Sequence, residues 1–266
     1  MNRQQIESAA RDLHRAERQS QQIGLLSLAH KDMSLKDAYA IQRHLVDMKC
    51  ADGRRIIGWK IGLTSKAMQR ALSIDTPDSG VLFDDMLFEN GSTIPQGRFI
   101  EPRIEAEIAF ILRQPLTANP SRQEMSDAIE AAVPTLEILD TRIVRADPTT
   151  GRLRNVFDTV ADNAANAGIV LGDYRHPVSA FDLRRVGAIV QRNDEVEETG
   201  LGAGVCNDPL AALAWLASIL AQSDQSMRSG DIILSGSFIR PVEARPGSQF
   251  TADFGEFGSV SINFAA

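Results

Sequence analysis

The sequence predicts an α+β fold with a helical N-terminal region. The first 50 residues contain two amphipathic patterns, with apolar residues three and four positions apart as in helices. From residue 53 onward, short apolar or alternating segments are separated by Gly, Pro and Asp, which is typical of strands and turns. Strands and helices do not alternate regularly, as they would in a doubly wound sheet. We therefore expect a helical cap over residues 1–52 and a β-rich catalytic domain over residues 53–266.

The predicted helices share an apolar stripe or a recognisable start. Ser34 and Asp37 form a capping-box pattern, and Asp208 followed by Pro209 marks the start of the last helix. That last helix is apolar nearly all round, so we expect it to be buried. The predicted helices cover residues 4–19, 34–49, 66–72, 121–131 and 208–221, with a short helix inside residues 157–167.

The predicted strands are short runs rich in Val, Ile, Leu and Phe. Polar segments over residues 75–80 and 142–155 are expected to be loops. The second contains four arginines, and loops of this length are often functional or mobile, although a solvated surface loop fits its composition equally well. The predicted strands cover residues 55–63, 81–83, 102–111, 133–139, 169–171, 186–191, 195–199, 231–235, 248–254 and 258–264.

Composition limits the classes of function. The formal net charge of -7 and the pI near 5.2 argue against nucleic-acid binding, which usually requires a basic surface. No apolar run predicts a membrane span, and the N-terminus lacks the apolar centre of a signal peptide. Cys50 and Cys206 are too few for a disulfide framework. We therefore expect a cytoplasmic protein that binds neither nucleic acid nor membrane.

Three carboxylates are candidates for a metal site. The strand over residues 102–111 alternates and places Glu105 and Glu107 on one face, roughly 6–7 Å apart along the chain. Glu137 lies between apolar neighbours in another predicted strand, where an unpaired charge is costly. Together they would form an oxygen-rich site suited to Mg²⁺. The alternatives are a solvated acidic face for the first pair, and an edge position or an ion pair with Arg142 for Glu137.

Lys60 and Asp78 are candidates for acid–base chemistry. Lys60 lies between Trp59 and Ile61 in an apolar strand, where burial would lower its pKa toward the working range of a catalyst. Asp78 follows in a Pro- and Gly-bounded loop and could pair with it. The alternatives are an exposed strand lysine and an aspartate that only caps a turn.

Other familiar motifs do not predict a site. The glycines over residues 200–204 lack the spacing and the preceding strand of a dinucleotide fingerprint, so a close-packed turn is expected there. The four histidines have no zinc-ligand spacing, and neither cysteine has a flanking pattern typical of a nucleophile. The sequence also contains no G-x-S-x-G elbow.

Six short motifs occur together in the chain. They cover residues 58–65, 77–78, 80–83, 102–107, 134–137 and 162–164. Together they resemble the 2-keto-4-pentenoate hydratases of the fumarylacetoacetate hydrolase superfamily, and the resemblance extends from about residue 35 to residue 264. Further segments between residues 147 and 242 resemble those members that act on 2-oxo-hept-4-ene-1,7-dioate.

This resemblance implies a fumarylacetoacetate-hydrolase-like mixed β-roll, a bound Mg²⁺ or Mn²⁺ ion, and a homo-oligomer, a pentamer of dimers. The implied metal ligands are Glu105, Glu107 and Glu137. The implied acid–base residues are Lys60 and Asp78.

The implied reaction adds water to a 2-hydroxy-2,4-dienoate or 2-oxo-4-enoate and gives a 4-hydroxy-2-oxo acid in aromatic meta-cleavage catabolism. Hydration of 2-oxopent-4-enoate and decarboxylation of 4-oxalocrotonate on the same scaffold are alternatives, and so is a non-catalytic partner subunit. The arginines of residues 142–154 would suit a second carboxylate of the substrate. Three residues near the presumed site depart from the family pattern: Ser79, Ser235 and Ile239. They therefore bear on which distal half of the substrate the site accepts.

Overall fold

The computed structural model describes residues 1–71, 74, 76–223 and 225–266. Its longest helices are the N-terminal α1 and α3, which begin with capping boxes at Asn2 and Ser34. A capping box at Ser121, the first residue of another predicted helix, likewise begins α5. The helices are α1 (Arg3–Gln19), α2 (Leu26–Ala29), α3 (Leu35–Ala51), α4 (Lys66–Ala71), α5 (Arg122–Ala128), α6 (Val156–Ala161) and α7 (Pro209–Ala221).

The strands form a large and a small mixed sheet. The strands are β1 (Ile56–Gly62), β2 (Asp78–Phe83), β3 (Leu87–Phe88), β4 (Thr93–Ile94), β5 (Arg103–Leu112), β6 (Ile129–Leu139), β7 (Asn166–Leu171), β8 (Gly187–Arg192), β9 (Glu195–Leu201), β10 (Ile232–Leu234), β11 (Val242–Glu243), β12 (Gln249–Asp253) and β13 (Ser259–Phe264). The large sheet has the order β2–β1–β10–β5–β6–β7–β3, with β11 paired to the start of β5. The small sheet has the order β4–β13–β12–β8–β9.

The two faces of β5 lie in different environments. Ile104 and Ile108 on one face are fully buried in the main core, together with Phe250 and Ile262 of the small sheet. On the other face, Glu105 and Glu107 are followed by Ala109 and Ile111, which lie in a second apolar cluster. The acidic face therefore points into the molecule, and the alternative of a solvated acidic face is wrong.

The N-terminal helices pack on the region beside this face. Leu13 of α1 and Ile41 of α3 are fully buried against Val160 of α6. A short turn over residues 162–165 joins α6 to β7, which pairs with β6 in the large sheet. The division of the chain into a cap and a catalytic domain at residue 52 stays a prediction.

Local sequence signals misplace two boundaries. Asp78 to Gly80 begin β2 rather than ending a loop, because they pair with β1 in the antiparallel register Gly62↔Asp78. Residues 129–131 belong to β6 rather than to the preceding helix, because Ala131 pairs with Ile111 of β5. Tertiary pairing overrides turn propensity at the first site and helix propensity at the second. Leu72 and Asp75, at the ends of two predicted segments, lie outside the described residues.

α7 is a core helix. The segment Gly202–Ala221 has the length and hydropathy of a membrane span, contrary to the sequence-based expectation. However, only residues 209–221 are α-helical, and 13 residues extend about 20 Å, short of the roughly 30 Å hydrocarbon core. Leu213 and Leu216 are fully buried in the main core, as expected for the core helix of a soluble protein.

Candidate metal centre and adjoining cavity

Three glutamates converge on the inner face of the large sheet. Glu105 of β5 lies directly opposite Glu137 of β6 in the antiparallel register, and Glu107 lies two residues further along β5. One carboxylate oxygen from each lies within 4.8 Å of the others. Glu107 and Glu137 are almost completely buried, whereas Glu105 keeps some exposure to the adjoining cavity. The predicted convergence of three carboxylates from two neighbouring strands is thus present in the fold.

The carboxylate oxygens of this cluster lack enough hydrogen-bond partners. Oε2 of Glu107 accepts a hydrogen bond from the Gly236 backbone N–H at 2.8 Å. Within the described ranges, Oε1 of Glu107 and both oxygens of Glu137 have no hydrogen-bond partner. Buried polar atoms are normally satisfied, and unsatisfied carboxylate oxygens are the ligands that hard cations take. These three residues could therefore hold a divalent cation.

The raised pKa values of these carboxyl groups show that it is unfavourable for all three to be charged without a cation. Burial, followed by the charge of Glu137, raises the pKa of Glu105 to about 8. Burial and the charges of the two neighbouring carboxylates hold the pKa of Glu107 well above its usual range. Burial also raises the pKa of Glu137, although the charge of Lys60 opposes the rise. A bound cation would offset the cost of ionisation, because it favours the charged form of each of the three carboxyl groups.

Lys60 is the cationic neighbour of the cluster. It lies in β1, is 4% exposed, and its Nζ is 3.3 Å from Oε1 of Glu137. Burial alone would lower the pKa of Lys60, but the charges of Glu137 and Asp78 outweigh burial and raise it above its ordinary value. The predicted burial is confirmed and the predicted lowering of the pKa is wrong, because the neighbouring carboxylates stabilise the ammonium.

Asp78 lies beside Lys60 across the β1–β2 pair. It is buried, and burial raises its pKa against the opposing effects of the Lys60 charge and the Gly62 N–H. A side-chain carbon at Gly62 would lie 2.2 Å from Oδ1 of Asp78 and 3.1 Å from Nζ of Lys60. The glycine therefore leaves the space that both functional groups occupy. Asp78 is a buried strand residue, and the alternative of a turn cap is wrong.

A strained turn over residues 163–165 places a backbone carbonyl group beside Lys60, a contact that the sequence motifs do not reveal. Asn163, Ala164 and Ala165 have φ values of 52°, 53° and 57°, in the left-handed region. This conformation costs roughly 1–2 kcal/mol per residue, and the Asn163 side chain offsets part of it by bonding both backbone groups of Val81, at 2.8 and 2.9 Å. The turn directs the carbonyl of Ala164 to Nζ of Lys60, at 3.3 Å. It therefore helps to orient the ammonium.

Arg142 supports this turn instead of pairing with Glu137. Its Nε donates to Oδ1 of Asp162 at 2.6 Å, and its Nη2 donates to the Asp162 carbonyl at 2.6 Å. Both side chains are almost completely buried. The alternative of a Glu137–Arg142 ion pair is therefore wrong, and Arg142 ties the loop over residues 142–155 to the left-handed turn.

A cavity of about 320 Å³ adjoins the cluster. Its wall includes Lys60, Asp78 and Glu105, so it gives access to one side of the three glutamates. Ile239, one of the predicted departures, contributes to the wall, whereas Ser79 and Ser235 do not. The described cavity wall contains no histidine or cysteine. Most of the remaining lining side chains are apolar or arginine: Ile61, Leu63, Arg103, Leu139, Arg145, Arg154, Val156, Ala164, Ala165, Ile239, Arg240 and Pro241. The neutral polar side chains of the wall are Thr64, Ser65, Asn155, Thr159 and Ser237.

The glycine-rich segment over residues 200–204, which begins at the end of β9, lies apart from this site. A side-chain carbon at Gly202 would lie 2.1 Å from the carbonyl oxygen of Leu183. Only glycine permits this close approach, which confirms the predicted close-packed turn. The segment leads into a short 3₁₀ turn at Gly202–Gly204.

The fold and the cluster together define a class of protein: an α+β chain with an acidic site, suited to a divalent cation, inside a mixed β-sheet. The chain belongs to the fumarylacetoacetate hydrolase family, whose C-terminal model matches residues 35–264. The predicted family and fold class are therefore confirmed.

Relatives within this family have related activities. The chain is 48% identical over 256 residues to a 2-oxo-hept-4-ene-1,7-dioate hydratase of Escherichia coli, with 96% of each chain covered. It is 40% identical over 265 residues to a 2-keto-4-pentenoate hydratase of Paraburkholderia xenovorans (strain LB400), with 99% of this chain and 96% of the relative covered.

A solved structure of similar fold is that of 4-oxalocrotonate decarboxylase from Pseudomonas putida G7, complexed with magnesium and adipate. The TM-score is 0.92 and the sequence identity 31%, with 99% of this chain and 98% of the other covered. The likeness thus extends over almost the whole chain, including the N-terminal helices.

Proposed function

We propose that this protein is a divalent-metal-dependent hydratase of the hydro-lyase class, acting in the meta-cleavage catabolism of aromatic compounds. Its substrate is a 2-hydroxy-2,4-dienoate or its 2-oxo-4-enoate tautomer, in particular 2-oxo-hept-4-ene-1,7-dioate. The observation that carries the proposal is the buried cluster of Glu105, Glu107 and Glu137 beside a cavity that also contains Lys60. The names of the two hydratase relatives support the reaction.

The three glutamates would be the protein ligands of Mg²⁺, with Mn²⁺ as an alternative. Three carboxylate oxygens of Glu107 and Glu137 accept no hydrogen bond from the described residues, and the three carboxylates repel one another. Both features fit this role, and Mg²⁺ is the ion named with the decarboxylase structure. A bound cation would supply Lewis acidity toward the C1 carboxylate and C2 oxygen of the substrate. Since Glu105 faces the cavity, substrate oxygens would approach the site from that side.

Lys60 and Asp78 would move the protons. The neighbouring carboxylates favour the protonated form of Lys60, so it would begin the reaction as the acid that delivers a proton to C5 of the substrate during ketonisation. Asp78, beside it, would take up the proton that the 2-hydroxyl group loses and pass it to Lys60, which restores both residues. The Ala164 carbonyl keeps the ammonium directed into the site. Protonation at C5 leaves a C3=C4 double bond conjugated with the C2 carbonyl. Water then adds across that bond, with the hydroxyl on C4 and the hydrogen on C3, and all carbons are retained.

The cavity favours a dicarboxylate substrate. Its apolar residues suit a carbon chain, and its arginines suit a carboxylate at the far end of that chain. The decarboxylase of similar fold is named with adipate, a six-carbon dicarboxylate. The predicted pentamer of dimers and the cytoplasmic location stay predictions.

The test is a hydration assay with Mg²⁺ that follows the loss of dienol absorbance and identifies the product. Wild-type protein should give a 4-hydroxy-2-oxo acid. Lys60→Met should lower kcat by about 100- to 10,000-fold, the usual contribution of a general acid, and should still bind Mg²⁺ by calorimetry. Lys31→Met, which removes an exposed lysine, is the matched control and should act like the wild type. Wild-type turnover by Lys60→Met would exclude the lysine from the mechanism.

Decarboxylation of 4-oxalocrotonate is the second candidate, since the likeness to that decarboxylase covers the whole fold. Product analysis separates the two reactions, because decarboxylation releases CO₂ and hydration consumes water without losing carbon. A non-catalytic partner subunit would turn over neither substrate. It would also have no need to bind Mg²⁺, so calorimetry gives a second criterion.

A further inference from the structure

Three arginines lie together where two cavities meet. Arg103 and Arg145 line both the cavity beside the glutamates and a neighbouring surface cavity of about 330 Å³, and Arg154 lines the first. Burial, followed by the charges of Arg154 and Arg103, lowers the pKa of Arg145 to about 10. The guanidinium groups are thus close enough to repel each other, and an anion between them would relieve this repulsion.

The three arginines have too few anionic partners. Nε of Arg145 lies 3.2 Å from Oε2 of Glu101, and Nη1 of Arg154 donates to the neutral hydroxyl of Thr141 at 2.6 Å. The side chain of Arg103 makes no hydrogen bond or ion pair with any described residue. Its cross-strand neighbour is Glu243, whose carboxylate accepts hydrogen bonds from Arg245. A surplus of positive charge therefore lines the cavity.

Arg103 also lies at a suitable position relative to the glutamates. It precedes Glu105 by two residues on β5 and shares its strand face, which places the two Cα atoms roughly 7 Å apart, about the length of the carbon chain of a seven-carbon dicarboxylate. The apolar side chains of Leu139 and Ile239 line the same cavity. One cavity thus has an acidic cation site, an apolar wall and a cationic end.

The other arginines near this cavity are either paired with a carboxylate or do not line the cavity. Arg142 is buried and bound to Asp162, and Arg152 is exposed and does not line the cavity. Arg240 lines the cavity, but it is paired with Glu198 and largely exposed. The structure therefore distinguishes among the loop arginines, which the sequence alone does not.

We propose that Arg103 and Arg145 bind the second carboxylate of a dicarboxylate substrate and thereby select dicarboxylates over monocarboxylates. This inference rests on the proposed function, because the first carboxylate is placed at the glutamate cluster. A guanidinium binds a carboxylate through two parallel N–H···O bonds, which fixes the orientation of the substrate as well as its affinity. Arg154, which donates a hydrogen bond to the Thr141 hydroxyl, lies on the third side of this subsite.

The test compares kcat/KM for 2-oxo-hept-4-ene-1,7-dioate with kcat/KM for 2-oxopent-4-enoate. In Arg103→Met and in Arg145→Met, the ratio of dicarboxylate to monocarboxylate should fall about 10- to 100-fold, the usual effect of losing a hydrogen bond to a charged group. Arg152→Met removes an arginine of the same loop and should keep the wild-type ratio. An unchanged ratio in both cavity variants, or an equal loss for both substrates, would overturn the proposal.

A binding measurement separates this proposal from the proposed function. Calorimetry in Mg²⁺ compares adipate with hexanoate, which has the same length and one carboxylate. Arg103→Met should weaken adipate binding about 10-fold or more and leave hexanoate binding unchanged, even if the wild type hydrates neither test substrate. In that case the proposed function fails and the arginine subsite stands. If Arg103→Met binds adipate as tightly as the wild type does, the subsite fails.

Discussion

Replacing Glu107 by glutamine should stabilise the protein in the absence of metal. The ligand oxygens of Glu105, Glu107 and Glu137 lie at most 4.8 Å apart. At that distance two like charges repel by about 3–4 kcal/mol at an effective dielectric constant of about 20. Glutamine has nearly the same shape, and its oxygen can still accept the hydrogen bond from Gly236. Its amide can donate to Oε2 of Glu137, which has neither a hydrogen bond nor an ion pair among the described residues.

The net gain should be smaller than the removed repulsion, because the raised carboxyl pKa values already reduce the charge of the metal-free cluster. We expect Glu107→Gln to raise the free energy of unfolding in EDTA by about 1–3 kcal/mol, and Tm by about 2–5 °C for a chain of this size. The same variant should lose the stabilisation by Mg²⁺, which in the wild type is about 2.7 kcal/mol at a free concentration 100 times Kd.

Thermal unfolding followed by circular dichroism, in EDTA and across a Mg²⁺ titration, measures both effects. Glu124→Gln is the control, because Glu124 is an exposed capping residue remote in sequence from the cluster. Two results would refute the reasoning. One is a variant less stable than the wild type in EDTA, and the other is a variant that keeps the wild-type Mg²⁺ shift.

Two further predictions concern an ion pair between the N-terminal helices and a glycine of the site. Glu17→Gln should cost about 3 kcal/mol at pH 7, because Lys49 is 1% exposed and lies 2.5 Å from the Glu17 carboxylate. Burial of Glu17 opposes its ionisation, but the neighbouring cations outweigh burial and hold the pKa of Glu17 below its usual range. The wild type should therefore lose this stability as the pH falls below about 5. Urea unfolding at several pH values measures this loss. Glu7→Gln, on the exposed side of the same helix, should change neither quantity, and an equal acid sensitivity of Glu17→Gln and wild type would contradict the assignment. Gly62→Ala should displace the Asp78 carboxylate and lower kcat at least 10-fold with Mg²⁺ affinity retained, and unaltered turnover would show that Asp78 can move without loss.

The acidic strand is predictable because its signal is local. Alternation of period two places Glu105 and Glu107 on one face without knowledge of the rest of the fold. That this face points inward depends on Ala109 and Ile111 reaching the second apolar cluster, which is a tertiary fact. The position of Glu137 depends on the β5–β6 register, and the family motifs supply it where spacing cannot.

The features that sequence analysis missed depend on partners distant in the chain. The assignment of Asp78 to a loop was wrong because its strand pairing with Gly62 outweighs the turn-forming residues around it. The pKa of Lys60 was predicted in the wrong direction because burial can be inferred from apolar neighbours, whereas the nearby carboxylates come from three other strands. Arg103 was overlooked because its lack of a partner becomes visible only when the surrounding elements are placed.

The sheet order has a consequence for synthesis of the chain. β10 separates β1 from β5, and the Gly236 N–H that binds Glu107 lies 129 residues after it. At about 5–20 residues per second, a ribosome therefore makes the acidic strand roughly 6–26 s before Gly236 exists. During that interval β6 can pair with β5, but β10 on the other side of the acidic strand and the Gly236 bond to Glu107 are not complete. A nascent chain should consequently gain tight metal binding only near the end of translation, which protects it from capturing a cation in an unfinished geometry.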